Sequence, residues 1–412
     1  MIFSKFEDAV RALIHPLLSL KQRANNALDG IEKTFGEGER AKVLDLLTKA
    51  HQQARQAILA GPDAVRGDVP WEFAHGLSLL GLLDHSQELP KTPEEFATVV
   101  LKDGSLLGCR QWELLDPRWS EALVKWLEYM NDHAPFATTP GLVTIPNNVM
   151  LAIAGDWGTG TTTPNFPATK VAAQIRKINP DYTIHLGDVY YAGTGEEEGN
   201  NMQNWPQGTS GSFTLNSNHE MYDGGYGYFA ELARRFPLQK GTSYFALQND
   251  HWLIVGLDSA YYSDVFDLYM KGSLDRTQLS WLAGLPKNKK IIVLSHHEAY
   301  DELADARTPL YTQVTQALGR VPDYWYWGHL HNAICYQANG GFHGRCIGHG
   351  AIPYGTATEL ENDPSVLWYE KELANDPDYP ERVLNGFARV TLNGDVLDEQ
   401  MIGEDGSVRW PN

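Results

Sequence analysis

Apolar and polar positions follow two different rhythms along this chain, and the rhythm changes close to residue 149. In the first sixty or so residues apolar side chains recur every three or four positions. Val43, Leu47, Ala50, Ala54 and Ile58 make one such stripe, stopped by Gly61-Pro62. This spacing predicts two helices. The first opens on a Ser4/Glu7 capping box and kinks at Pro16, and Gly36 and Gly38 interrupt the chain before the second. The two stripes are read as packing against each other. Beyond them, ATVVLKDGSLLGCRQW predicts a hairpin around Asp103-Gly104, and Asp116-Pro117 predicts the cap of a helix carrying Trp119, Leu123, Trp126 and Met130. No catalytic cluster stands out before about residue 135.

The segment HAPFATTPGLVTIPNN, rich in proline and short polar residues, reads as a linker. After it the order becomes strand, Gly/Asp/Asn-rich loop, helix: VMLAIAG, then PATKVAAQIRKI, then DYTIHLGD, as in a βαβ unit. Further strands are predicted at SYFALQ, HWLIVGLDS, KIIVLSHH and YWYWGH, with a helix at QLSWLAGL. The expected division is a mainly helical domain over residues 1–145 and an α/β domain over 146–412.

Composition narrows the function without naming it. With 412 residues and twelve tryptophans there is enough apolar material for more than one core. The formal charge of −19, with no basic run, weighs against a nucleic-acid polymer as partner. Three cysteines, Cys109, Cys335 and Cys346, are too few and too irregular for a disulfide framework or a cysteine-rich zinc site. Acidic residues interrupt the apolar N-terminus, which is wrong for a signal peptide, and no segment is long and apolar enough to span a bilayer. A cytoplasmic protein is the expectation, with signal-independent export as the alternative.

Candidate chemistry collects where predicted strands end. Asp156 follows the first strand in GDWG; Asp188 and Tyr191 follow the next in GDVYY; Asn218, His219 and Glu220 stand in SNHE; His296 and His297 in SHHEAY; His329 and His331 in GHLHN. Taken singly each is weak. Together they bring carboxylates, an amide oxygen, imidazoles and a phenol to one face. Two cations roughly 3.5–4 Å apart call for this mixture, with one carboxylate to bridge them and hard oxygens and imidazoles around the outside.

The ordered series GD, GD-x-x-Y, N-H-E, a histidine after a strand, and G-H-x-H resembles the calcineurin-like metallophosphoesterase superfamily, and within it the purple acid phosphatases, over roughly residues 149–400. The fold so implied is an α/β two-sheet β-sandwich flanked by helices, behind the smaller helical N-terminal domain. Most members of the superfamily begin with Asp-x-His, whereas this chain has Asp156-Trp157-Gly158. Purple acid phosphatases place a tyrosine three residues after the second aspartate instead, here Tyr191.

Carried over, the resemblance implies one metal ion held by Asp156, Asp188, Tyr191 and His331 and a second held by Asp188, Asn218, His296 and His329. The phenolate favours iron(III) at the first position; zinc, manganese or iron(II) suits the second. His219 is implied as proton donor to the leaving group, with Glu220 as a carboxylate that orients its ring. His297 is a candidate for contact with the phosphate, and His349 for approach from a following loop. His185 and His251 are read as core or surface histidines.

Two residues depart from the family pattern: Ser217 stands in place of a glycine and Glu298 in place of a proline. Between Tyr191 and Asn218 a Gly/Asn-rich stretch reads as a long loop, with Glu196 to Glu198 as a solvated acidic turn and Trp205, Tyr222 and Tyr226 as core residues or stacking platforms.

The implied activity is hydrolysis of small phosphate monoesters by metal-activated hydroxide. The alternatives are a phosphodiesterase acting on cyclic nucleotides or lipid head groups, and a non-catalytic binding protein with a structural metal site. On that last reading the N-terminal helices contact a partner or another subunit.

Overall fold

The structure is a computed structural model and describes residues 19–36, 38–66, 69–160, 165–338 and 342–411. The chain divides into two compact units, Met1–Val99 with Leu107–Asp132, and Val100–Leu106 with His133–Asn412.

In the first unit the predicted helical stripes become α1 (Leu20–Phe35), capped by the Ser19 hydroxyl, and α2 (Glu39–Ala60), which buries Val43, Leu47, Ala50 and Ala54 and leaves Ile58 half-buried. The expected Ser4/Glu7 box and Pro16 kink lie outside the described residues. A short α3 (Gly76–Leu80) precedes the predicted hairpin, whose strands are β1 (Val99–Val100) and β2 (Leu106–Leu107), with Gly104 at φ 94° in the turn. Then α4 (Trp119–Tyr129) buries Trp119, Leu123 and Trp126, and Arg23 of α1 forks onto its Glu128 at 2.9 and 2.6 Å.

The second unit opens within the predicted linker. There Leu142–Thr144 is a strand, β3, which pairs in parallel with β7 (Phe245–Gln248), and the contacts place His133 onward in this unit. The βαβ segment forms as β4 (Asn148–Ala154), α5 (Pro167–Ile178) and β5 (Tyr182–His185). The supposed long loop instead holds α6 (Gly195–Met202) and β6 (Gly211–Thr214), followed by α7 (Asn218–Met221) and α8 (Tyr226–Arg235). Next come β8 (Trp252–Gly256), α9 (Arg276–Gly284), β9 (Lys290–Ser295), α10 (Pro309–Leu318) and β10 (Tyr324–Trp327). The chain ends with β11 (Ala333–Tyr336), β12 (His343–Ile347), β13 (Val366–Tyr369), β14 (Gly386–Asn393), β15 (Val396–Gly403) and β16 (Val408–Trp410).

Among the described residues these strands form two large sheets, ordered β13-β11-β12-β10-β9-β8-β7-β3 and β16-β15-β14-β4-β5-β6. Alternation along each strand explains how they stack. Leu151 and Ile153 of β4 join Ile254, Ile292 and Leu294 of the other sheet in one core. Ala152 and Ala154 turn the opposite way, onto Val171 and Ile175 of α5. Burial on both faces is why these strands read as unbroken apolar runs; each fully buried Leu or Ile contributes about 1.5–3 kcal/mol. On the outer face of the larger sheet, Val255, Val293 and Trp325 pack under Leu282 of α9 and Leu310 and Val314 of α10. This is the two-sheet α/β architecture that the resemblance implied. No described helix is long and apolar enough to cross a membrane.

Candidate metal centre

Strands β4, β5 and β6 run parallel in one sheet, and β8, β9 and β10 run parallel in the other. The chain leaves four of them, β4, β5, β9 and β10, directly into predicted ligand motifs. Four of the predicted residues sit in left-handed backbone: Asp156 (φ 56°), Asp188 (φ 75°), His329 (φ 68°) and His331 (φ 59°). Non-glycine residues rarely adopt this conformation, and such departures concentrate at functional sites. Gly328 is required by close approach, since a Cβ there would lie 2.4 Å from Asp156 Oδ2. The vacant side lets the His329 amide reach the same carboxylate, at 3.0 and 3.2 Å.

Asp188 stands in the middle and faces two ways. Its Oδ1 lies 3.3 Å from His296 Nε2; its Oδ2 accepts from the Tyr190 hydroxyl at 2.9 Å and lies 3.9 Å from Nε2 of both His331 and His219. His331 Nε2 is also 3.4 Å from Asp156 Oδ1. On the other side His296 Nε2 meets Asn218 Oδ1 at 2.9 Å and His329 Nδ1 at 3.2 Å.

The phenol that meets Asp156, Asp188 and His331 is that of Tyr190, one residue before the predicted Tyr191. Its hydroxyl is 3.4 Å from Asp156 Oδ1 and 3.1 Å from His331 Nε2. The reason is local. Val189 forms a parallel bridge to Gly158, with Gly158 N–H donating to the Asp188 carbonyl and Tyr190 N–H donating to the Gly158 carbonyl. Val189 enters the core beside α5, and the residues on either side of it meet at the site, the Tyr190 hydroxyl donating to Asp188 Oδ2. Tyr191 contributes its backbone: its N–H donates to Glu197, and its carbonyl accepts from His219 Nδ1 at 2.8 Å.

That carbonyl, not Glu220, orients the His219 ring. Glu220 instead takes the Asp188 amide at 3.4 Å and the Ser217 hydroxyl, and burial followed by the charge of Asp188 pushes its carboxyl up to about 8. Ser217, the departure from glycine, bonds both carboxyl groups, Asp188 and Glu220. His297 has both ring nitrogens engaged, Nδ1 with Ser259 Oγ at 2.8 Å and Nε2 with the Tyr269 carbonyl at 2.7 Å. Glu298, the other departure, takes the Thr308 hydroxyl on its carbonyl, and burial pushes its carboxyl up to about 7.

His349 is buried against Gly386, and its loop meets the site through backbone: Gly350 N–H donates to the Gly155 carbonyl and Ala351 N–H to that of Asp156. Behind the loop, Asn385 donates to the carbonyls of His349 and Ile352, and a fully buried Arg382 ties Asn385 to Glu404 and Asp376. His185 is buried between Trp157 and Trp205, whereas His251 is exposed. Of the acidic triplet only Glu196 is solvated: Glu197 completes a capping box with Thr194, and Glu198 is buried. Trp205 and Tyr222 are buried, Tyr222 against His219, and Tyr226 is 40% exposed.

The donor set fits a pair of cations. His296 Nδ1 lies 3.0 Å from the Leu186 carbonyl, which only accepts, so Nδ1 carries the hydrogen and Nε2 presents a lone pair. That lone pair faces Asn218 Oδ1 and Asp188 Oδ1, acceptor against acceptor. Protonation does not relieve this, because burial lowers His296 to about 4 against the pull of Asp188. Asp156 and Asp188 are both 0% exposed, and among the described residues their ion partners are histidines alone. Burial and then the neighbouring Asp188 push Asp156 up, while His296 and His219 hold Asp188 well below the usual range against its own burial. Burial and both carboxylates raise the Tyr190 phenol. Each of these strains is one that a cation at the centre removes.

Comparison with known proteins agrees with this geometry. Residues 150–333, a little under half of the chain, match the model of the calcineurin-like phosphoesterase family. The match is to the superfamily and to no subclass within it. No curated protein matches the sequence significantly. Among solved structures, GAP50, the anchor in the inner membrane complex of Plasmodium, is similar at 14% identity over 64% of this chain and 87% of its own, with a TM-score of 0.43. A dimetal phosphatase from Danio rerio is similar at 12% identity over 62% of this chain and 96% of its own, with a TM-score of 0.44.

Proposed function

We propose that the second unit is a binuclear metal-dependent phosphatase of the purple acid phosphatase kind, hydrolysing small phosphate monoesters. The observation that carries this reading is the two-sided placement of Asp188, one oxygen toward Tyr190 and His331 and the other toward His296. One cation would be held by Asp156, Asp188, Tyr190 and His331, the other by Asp188, Asn218, His296 and His329. A phenolate donor favours iron(III) at the first; zinc, manganese or iron(II) suits the second. When bound, such a pair acidifies water and neutralises phosphoryl oxygens.

The chain supplies the rest. His219, fixed by the Tyr191 carbonyl through Nδ1, holds Nε2 toward the Asp188 side of the site. In its imidazolium form Nε2 carries the proton that the departing alkoxide oxygen takes up. The buried carboxylates and the Tyr190 ring exclude bulk water from beneath the phosphoryl group.

Two measurements test the reading. Metal analysis with a visible spectrum is expected to give two equivalents per chain and an iron-tyrosinate band that Tyr190→Phe abolishes and Tyr191→Phe leaves in place; the reverse result returns the ligand to Tyr191. A panel of monoesters and diesters is expected to favour monoesters, and a preference of orders of magnitude for diesters would replace the substrate class.

A further inference from the structure

The hairpin turn at residues 100–106 lies in sequence among the elements of the first unit but packs within the second, beside the strand end that carries His331. Its contacts bracket that histidine. The Gly104 carbonyl accepts from Gly355 N–H at 2.7 Å, and the Asp103 carbonyl accepts from Nδ2 of Asn332, the residue after His331, at 3.4 Å. The Ser105 hydroxyl donates to Asp103 Oδ2 at 2.7 Å, so the Tyr354 hydroxyl, 2.9 Å away, is the donor to Ser105 Oγ. The chain Tyr354 to Ser105 to Asp103 therefore ends on a carboxylate, which strengthens it. The Tyr354 ring stands edge-on to His331, centroids 5.6 Å apart at 86°, and Tyr190 stands edge-on to the same ring at 6.0 Å and 81°.

We infer that this hairpin tip is a positioning device for His331: Ser105 and Asp103 tether Tyr354, and Tyr354 with Tyr190 clamps the imidazole in the orientation that serves its metal. His331 needs such a clamp. Its side chain is 17% exposed where that of His296 is 0%, and it sits on left-handed backbone, so burial alone does not fix the ring. Residues that orient a ligand histidine commonly control metal affinity about 10–100-fold. The inference rests on the reading of His331 as a ligand given above.

The test is metal affinity, measured by chelator competition on the full-length protein, with thermal unfolding of each metal-free variant alongside. Tyr354→Ala is expected to weaken one of the two sites about tenfold and leave the other within twofold. Tyr354→Phe, which keeps the ring and cuts the tether, is expected to weaken the same site by less, and Ser105→Ala to match it, with no further loss in the double variant. Gly104→Ala is a third approach, because its Cβ would lie 2.7 Å from the Tyr354 ring and from the Gly355 carbonyl, pushing the tip away. Both sites unchanged in folded Tyr354→Ala, or both weakened equally, overturns the inference while leaving the metal centre intact. A wild-type protein that binds no metal overturns the metal reading and this inference with it.

Discussion

The same strands have two ends, and only one of them is a candidate for chemistry. Where β8, β9, β10 and β12 begin, Trp252, Lys290, Asp323, Tyr324, His343 and Asp395 line a cavity of about 340 Å³. Where β9 and β10 finish lie His296, His329 and His331. Both ends hold carboxylates, histidine and aromatic rings. At the first, charges pair at the surface: Arg320 with Asp323 at 2.9 Å and Lys290 with Asp395 at 3.7 Å, while His343 stacks on Tyr324. At the second, two carboxylates are wholly buried among imidazoles, on backbone that ordinary residues avoid. The difference teaches that residue type does not make a site. Withdrawal from water without a compensating charge does, because it leaves an interaction that only a ligand completes.

The sharpest way to break this contrast is to remove the shared carboxylate. Asp188→Asn is expected to lower kcat/KM about 10³-fold, equivalent to roughly 4 kcal/mol of transition-state stabilisation, and to release both metals. Retention of two equivalents after this change would remove Asp188 as bridge. His219→Gln is expected to cost about 10²–10⁴ in kcat with an alkyl phosphate and far less with a phosphate whose leaving group needs no proton. An equal loss with both would make His219 a binding residue.

Acid stability separates buried from surface histidines. Burial lowers His185 and His349 to about 3, so below pH 6.5 the unfolded chain binds protons that the folded chain refuses. Stability therefore falls as pH drops from about 6.5 toward 3, by about 1.4 kcal/mol per pH unit for each such histidine. Denaturant unfolding at pH 7, 6 and 5 is expected to show a shallower slope in His185→Gln, and an unchanged slope would refute the assignment. The smallest effect belongs to the other end of the sheets. Asp395→Asn removes an exposed pair and is expected to change stability by no more than about 1 kcal/mol and activity not at all.

Much of this was legible in the sequence because burial on two faces writes itself as apolar runs, and β4, β5, β8, β9 and β10 all came from such runs. The ligand motifs were legible because each closes a strand. What escaped was set by geometry finer than composition. Tyr190 and Tyr191 are chemically equal, and which phenol meets Asp188 is set by the left-handed turn at Asp188 and the bridge of Val189 to Gly158, neither of which composition announces. α6 was hidden because GEEEGNNM is glycine-rich, and its Thr194/Glu197 capping box supplies what propensity lacks. Tyr354 and Ser105 are 249 positions apart, and no local pattern announces a partner at that distance.

The family match ends at residue 333, and every proposed ligand lies before it. Yet the peptide groups that grip Gly155 and Asp156 from below belong to residues 350 and 351, held in turn by Asn385, Arg382 and Glu404. A fragment cut at the family boundary would carry the full set of donors and no floor beneath the first of them. The smallest working unit is therefore larger than its signature, and the residues that follow residue 333 are the foundation on which the earlier motifs stand.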